Sequence, residues 1–334
     1  MQDTWQKFLH QQGATIHDDG IELNHPDLNI IETPLVSPLA GFTTLVVGGS
    51  ERHLFLHGQF INDLNLIETP AAQLSAWCNP KGQLITNFLV VNTGTSYLLI
   101  FKKELKEFVQ KRLTMFVMRS DVTIADISET SPLLGLANTT ELSLLNENIP
   151  TEPGAVHAFD GLIVICHPDG SGRHLVTGSI DALINKLTAH KNEITMISSS
   201  AWNLLDILAG LPWITLATQE QFLPQMLNLD VLKGLSYKKG CYPGQEVIAR
   251  LHFRGEVKKR LQLMTTTQSL TAGNNLYLKN GSKIGTVINS ECRTDGLSYA
   301  LAIIELDKIK EPLFTDRQCQ HEVSITELPY AIHA

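Results

Sequence analysis

The 334-residue chain has little cysteine: Cys78, Cys166, Cys241, Cys292 and Cys319 are odd in number, far apart, and contain no CxxC pair. That pattern excludes a disulfide framework and offers no zinc or cluster cradle, and it fits a reducing cytoplasm. No stretch approaches twenty uninterrupted apolar residues, so no membrane span is expected. The opening MQDTWQKFLHQQG is polar and lacks the apolar core of a signal peptide. Histidine is scattered, with no HExxH; His53 and His57 stand four apart but have no acidic or thiol neighbour in sequence, so they are read as a solvated helix face. There is no G-x-S-x-G, no P-loop and no Rossmann fingerprint, which removes the corresponding hydrolase and nucleotide-binding classes. Gly48-Gly49-Ser50 before a helix is a weak anion signal and reads better as a helix start capped by Ser50.

What is present describes an ordinary globular protein, 43% hydrophobic and 18% charged, long enough for two or three domains. The formal charge of −8 argues against a wholesale nucleic-acid coat. The charge is uneven, however. Between residues 233 and 260 there are Lys233, Lys238, Lys239, Arg250, Arg254, Lys258, Lys259 and Arg260 against only Glu246 and Glu256. That segment is a candidate site for an anionic ligand or an RNA backbone, although a solvated surface has the same composition.

The hydrophobic patterns divide the chain into three parts. In residues 1–150, an N-terminal helix with Trp5, Phe8 and Leu9 on one face is followed by the strand Phe42–Gly48 and a short helix through HLFLHGQF. AQLSAWC, QLITNFLVV and SYLLIF then read as strands separated by Asn79-Pro80-Lys81-Gly82 and Asn92-Thr93-Gly94 turns. An amphipathic helix through KKELKEFVQKRLTMF and the strand VTIADI complete an α+β layer. Residues 151–255 repeat that kind of content: strands AVHAF, LIVICH and HLVTG, the helix DALINKLTAH, and a helix from Ser199 to Ala209 stopped by Gly210. Residues 256–334 are short strands with hairpin turns, Asn280-Gly281 being the clearest, and predict a small barrel or sandwich.

The densest local signal is KKGCYPGQEVIAR, Lys238 to Arg250. Pro243 presets the second position of a turn and Gly244 supplies the positive φ that a type II turn needs at its third. Gln245 to Arg250 predicts a short helix with Glu246 at its positive end. Cys241 then lies close to a helix start with Lys238 and Lys239 before it, a setting that favours thiolate, and it is the candidate functional thiol.

KGCYPGQE followed by Arg250 closely resembles the signature of the YgfZ family, folate-binding proteins related to the glycine-cleavage T-protein and to mitochondrial iron–sulfur assembly factors. GQFINDL, AWCNPKGQLITNF and QFLPQMLNLDVLKGLSYKKGCYPGQE extend the resemblance over nearly the whole chain. It implies two ferredoxin-like α+β portions around a central cavity plus a C-terminal β-barrel. It implies a tetrahydrofolate-type cofactor, with Trp202 and Phe42 at the family's folate-contacting positions and Phe42 standing where a Trp is usual. The motif residues it marks are Lys239, Gly240, Cys241, Tyr242, Gly244, Gln245, Glu246 and Arg250. The implied role is support of iron–sulfur enzymes, including tRNA methylthiotransferases, with direct tRNA contact resting only on the basic segment. The alternative is a tetrahydrofolate-dependent aminomethyl or methyl transferase. Against it, Thr86 and Asn87 stand where T-protein has an acidic pair, and Leu208 where its relatives carry a Glu that holds the pterin edge.

Overall fold

The computed structural model describes residues 3–18, 20–23, 33–67, 69–138 and 149–332. The polar arm expected before residue 33 and the start of the boundary expected at residues 148–153 fall partly outside them. Among the described residues there are six α-helices: α1 (Asp3–Gln11), α2 (Arg52–Gln59), α3 (Lys106–Val117), α4 (Ile180–Ala189), α5 (Ser199–Leu208) and α6 (Gln245–Arg254). Each lies where 3.6-residue periodicity places it. Helix α1 buries Trp5, Phe8 and Leu9, and α4 starts on Ser179, whose side chain accepts the Ala182 N–H. The expected cap at Ser50 takes another form. Its N–H and hydroxyl both donate to the Asp121 carboxylate, at 2.8 and 2.7 Å, so the anion in the Gly-Gly-Ser loop is the chain's own.

Two sheets account for the α+β content. One has the spatial order Ala71–Cys78, Leu84–Asn92, Tyr97–Lys102, Phe42–Gly48, Thr123–Asp126. The other runs Val156–Phe159, Leu162–Cys166, His174–Gly178, Leu133–Ala137, Leu35–Pro38, Thr195–Met196. In this second sheet Leu35–Pro38 pairs antiparallel with Leu133–Ala137, about a hundred residues later, and parallel with Thr195–Met196. Its core face gathers Leu9, Val36, Leu136, Val164, Val176 and Leu183. The C-terminal region is a closed barrel of six strands, sealed by pairing of Lys259–Thr266 with both Ser298–Glu305 and Glu322–Thr326. Met264, Leu276, Ile284, Val287, Ala302 and Ile304 are among the side chains that fill it. The Asn280-Gly281 turn joins two of its strands, with Gly281 at φ 79°. An α+β fold with a C-terminal barrel is thus the observed class.

By its contacts the chain forms two compact units of interleaved segments. The first comprises Met1–Leu56, Leu64–Gln73 and Phe88–Trp202; the second comprises His57–Asp63, Leu74–Asn87 and Asn203–Ala334. Among the described residues no helix is long and apolar enough to cross a membrane.

Candidate functional site

The Lys238–Arg250 segment belongs to the second unit and folds as its sequence predicts. The Gln245 N–H donates to the Tyr242 carbonyl at 3.2 Å, and Gly244 has φ 82° and ψ 2°, the third position of a type II turn. Gly244 is also glycine for lack of space. A Cβ there would lie 2.6 Å from the Asn79 carbonyl oxygen and 2.6 Å from Gly82 Cα. Gly82, at φ 76°, ends the Asn79-Pro80-Lys81-Gly82 turn, which Asn79 organises by accepting the Lys81 and Gln83 N–H groups at 2.9 and 3.1 Å. The two glycine turns therefore pack backbone to backbone, and two segments far apart in sequence form one construction.

Two side chains of the motif anchor it inward. Lys239 is buried, and its ammonium donates to the backbone carbonyls of His57 and Phe60 while lying 5.0 Å from the centre of the Tyr242 ring. Burial lowers its pKa to about 8, the nearby Asp63 charge working the other way. Tyr242 is buried too, and desolvation pushes its hydroxyl well up, with added repulsion from Cys78 and Tyr237. This corrects the expectation that both lysines supply charge beside the thiol. The ammonium of Lys239 is held inside by carbonyls, and of the pair only Lys238 is exposed. Gly240 and Cys241 lie exposed between the anchors, while Glu246 and Arg250 are exposed on α6. The Gln245 side chain ties the loop to the helix through the Lys239 carbonyl at 3.4 Å.

The other cysteines differ in ways a labelling experiment reads. Cys78 and Cys166 are buried, and desolvation raises both thiols; Cys292 is exposed and Cys319 half-buried. Competitive alkylation at neutral pH, read by mass spectrometry, is expected to modify Cys241 first and Cys78 last. Slow labelling of Cys241 in the native protein would mean that the loop closes over it.

The aromatic residues singled out for folate lie in the first unit. Trp202 is only 1% exposed. One side of its six-membered ring meets Gly135, where a Cβ would come within 2.3 Å, and the Arg173 guanidinium stands 4.7 Å from the ring centre. Arg173 is itself fixed by the fully buried Asp169 carboxylate at 2.6 Å, and Asp169 also contacts His167 at 3.1 Å. These partners hold the Asp169 carboxyl far below its usual range despite burial. Phe42 has the Lys102 ammonium 4.0 Å from its ring centre and lines a cavity of about 80 Å³ with Thr44, Lys106 and Asp126. That is well below the several hundred Å³ that enclose a drug-sized ligand. The sequence did not mark Asp169 or Arg173; the Asp-Gly-Ser-Gly turn ahead of Arg173 was the available signal.

Thr86 and Asn87 are both buried in the second unit. Asn87 uses both ends of its amide: Nδ2 donates to the Pro212 carbonyl and Oδ1 accepts the Ile214 N–H, each at 2.8 Å. Thr86 Oγ1 donates to the Asn87 carbonyl at 3.2 Å. Leu208, at the end of α5, is 40% exposed and offers no acceptor. Of the basic segment, Arg260 is also internal, paired with Asp230 at 2.7 and 3.0 Å, and Lys259 meets Glu305 at 2.8 Å. Among the described residues, no group of three or more His, Cys, Asp or Glu is placed to hold a metal ion.

Comparison with known proteins adds relatives to this geometry. No family model matches the chain. It is 30% identical over 294 residues to the tRNA-modifying protein YgfZ of Klebsiella pneumoniae strain 342, a match covering 86% of this chain and 90% of that protein. It is 30% identical over 295 residues to the tRNA-modifying protein YgfZ of Escherichia coli strain SMS-3-5, with the same coverage. Among solved structures it superposes on the glycine cleavage system aminomethyltransferase T from Bartonella henselae with a TM-score of 0.79. That match covers 98% of this chain and 96% of the other at 14% identity, and it shows a T-protein-like fold.

Proposed function

This chain belongs to the YgfZ family of tRNA-modifying proteins, and from that premise we propose a folate-binding accessory protein that sustains iron–sulfur enzymes in the cytoplasm. A function connected with tRNA modification follows from the family. The finer reading is methylthiolation: tRNA methylthiotransferases are the proposed clients, and tetrahydrofolate or a derivative is the proposed ligand. The observation that carries it is the build of the thiol loop. Gly82 and Gly244 interlock, Lys239 and Tyr242 are buried as anchors, and Cys241 is left exposed between them. Such a scaffold presents one sulfur outward, as a contact to a cluster, a partner or an oxidised species requires. In the alternative of one-carbon transfer, the positions equivalent to the T-protein acids would anchor an amine. Here Asn87 is spent on backbone groups and Thr86 is neutral, which supports the accessory reading.

The decisive experiment is genetic. A YgfZ-deficient bacterium carrying the wild-type gene should recover tRNA methylthiolation and iron–sulfur enzyme activity, and Cys241→Ser should not. Equal rescue by both would remove the thiol from the mechanism. For folate we propose Trp202 and Phe42 as contacts. At Trp202 this requires the Arg173 guanidinium to give way, since Gly135 takes the other side of the ring. Tetrahydrofolate titration followed by tryptophan emission should saturate in the wild type and weaken about tenfold or more in Trp202→Ala, the loss of one good aromatic contact. Unchanged affinity would leave Trp202 a core residue.

A further inference from the structure

Helix α6 carries an outward face that the thiol loop does not use. Val247, Arg250, Phe253 and Arg254 recur at helical spacing and are all exposed, while Ile248 on the opposite side is fully buried. Phe253 is 69% exposed, unusual for a phenylalanine. It does not stand alone. Tyr237 lies parallel on His252, ring centres 3.7 Å apart at 9°, and Phe253 meets both edge-on, at 6.3 and 4.7 Å. The stack also places the loop. With Tyr237 at the C-terminal end of α6 and Pro243-Gly244 at its start, residues 237–244 run back alongside the helix, and the exposed Lys238 is the residue next to Tyr237 in the chain. Lys258 follows, exposed, just past the Gly255 that ends the helix.

We propose that this face binds single-stranded RNA, a base stacking on Phe253 while Lys238, Arg250, Arg254 and Lys258 take the phosphates. The choice of RNA among nucleic acids rests on the tRNA-modification reading; the surface chemistry does not depend on it. Charge complementarity is local. The chain carries −8 overall, but these four exposed cations are opposed within the segment only by Glu246 and Glu256. Lys239 and Arg260 are turned inward and add nothing to the face. A ten-residue helix is about 15 Å long, enough for cations to reach two or three successive phosphates. An aromatic ring that is edge-packed by its neighbours but open on its outer side is a stacking platform for any base already unstacked, as bases in loops are. An acidic peptide would use the cations and leave the ring stack without a role.

The test is fluorescence anisotropy with a labelled, unmodified tRNA transcript and a uridine dodecamer, at salt from about 50 to 200 mM. Wild-type affinity should fall steeply with salt. Arg250→Gln with Arg254→Gln should weaken both RNAs tenfold or more and reduce the log–log salt slope by about 1.4, near 0.7 per lost contact. Phe253→Ala should weaken binding about tenfold with the slope unchanged, as loss of stacking predicts. Lys279→Gln with Lys283→Gln, on the exposed Asn280-Gly281 hairpin, removes the same charge elsewhere and should leave affinity within about twofold, since neither lysine contacts a phosphate in the proposed mode. No binding at the lowest salt, or equal losses in the hairpin control, would overturn the proposal. So would intact RNA binding in Phe253→Ala combined with failure to complement, which would make the face a protein-docking surface. Folate titration of the same variants should match the wild type, so loss of folate binding would count against the proposed function and not against this face.

Discussion

Gly244→Ala is expected to destabilise the protein by about 3 kcal/mol or more, whereas Gly240→Ala, four residues earlier in the same motif, should be nearly silent. At Gly244 two costs add. The left-handed conformation, φ 82°, costs a residue with a side chain about 1–2 kcal/mol. The new methyl would then sit 2.6 Å from backbone atoms of Asn79 and Gly82, and overpacking against backbone costs about 1–3 kcal/mol more. At Gly240 a Cβ meets nothing within 4 Å. Urea denaturation of the two variants separates the accounts. Equal stabilities would show that the two turns do not press on each other. Because Gly82 receives the clash, Gly244→Ala should also loosen the Asn79–Gly82 turn, which hydrogen exchange of the Lys81 and Gln83 amides would report.

Asn87→Asp should be comparably damaging at neutral pH, although it supplies the carboxylate that the family resemblance leads one to expect there. Asn87 is 1% exposed, and its Nδ2 donates to the Pro212 carbonyl at 2.8 Å. An aspartate replaces that donor with an oxygen facing an oxygen, in a site with no cation among its hydrogen-bond partners. A buried acceptor left without its donor costs about 1–3 kcal/mol, and more when charged, so about 3 kcal/mol is expected at pH 7. The sign with pH is definite. Burial raises the folded-state pKa of such an aspartate above its unfolded value near 3.9. The penalty is therefore largest above the folded pKa and shrinks as pH falls through it, when a protonated carboxyl again donates to Pro212. Thermal melts of variant and wild type should converge between pH 7 and about 4.5. A variant as stable as wild type at pH 7, with one-carbon transfer to tetrahydrofolate, would revive the transferase reading.

These two residues mark where the sequence is readable and where it is not. The Pro243-Gly244 turn, α6, the Asn280-Gly281 hairpin and most strands depend on neighbours in the chain, and local pattern suffices for them. The strands Leu35–Pro38 and Leu133–Ala137 escaped that reading. They are short apolar runs: the partners of Leu35–Pro38 are Leu133–Ala137 and Thr195–Met196, and Leu133–Ala137 pairs in addition with His174–Gly178. Lys238 and Lys239 look alike in sequence; only carbonyls roughly 180 positions earlier decide that the second turns inward. Trp202 was legible as an aromatic on an amphipathic helix, but the Arg173 and Gly135 contacts on its ring come from a different hairpin and a different strand.

The segmented make-up of the second unit bears on how the protein is born. Residues 57–63 and 74–87 leave the ribosome more than a hundred residues before Asn203, yet they belong to the unit that begins there. Ala76, Trp77 and Leu84, all buried in the finished fold, lie on strands of a sheet complete by residue 126, but the rest of their own unit is made only from Asn203 onward. The thiol loop meets that delay directly, because the carbonyls of His57 and Phe60 that seat Lys239 are made long before it emerges. A fragment starting at Asn203 would contain the barrel and KGCYPGQE but neither the carbonyls for Lys239 nor the glycine turn that meets Gly244. Cysteine presentation is consequently a property of a chain that carries residues 57–82 as well as the loop itself.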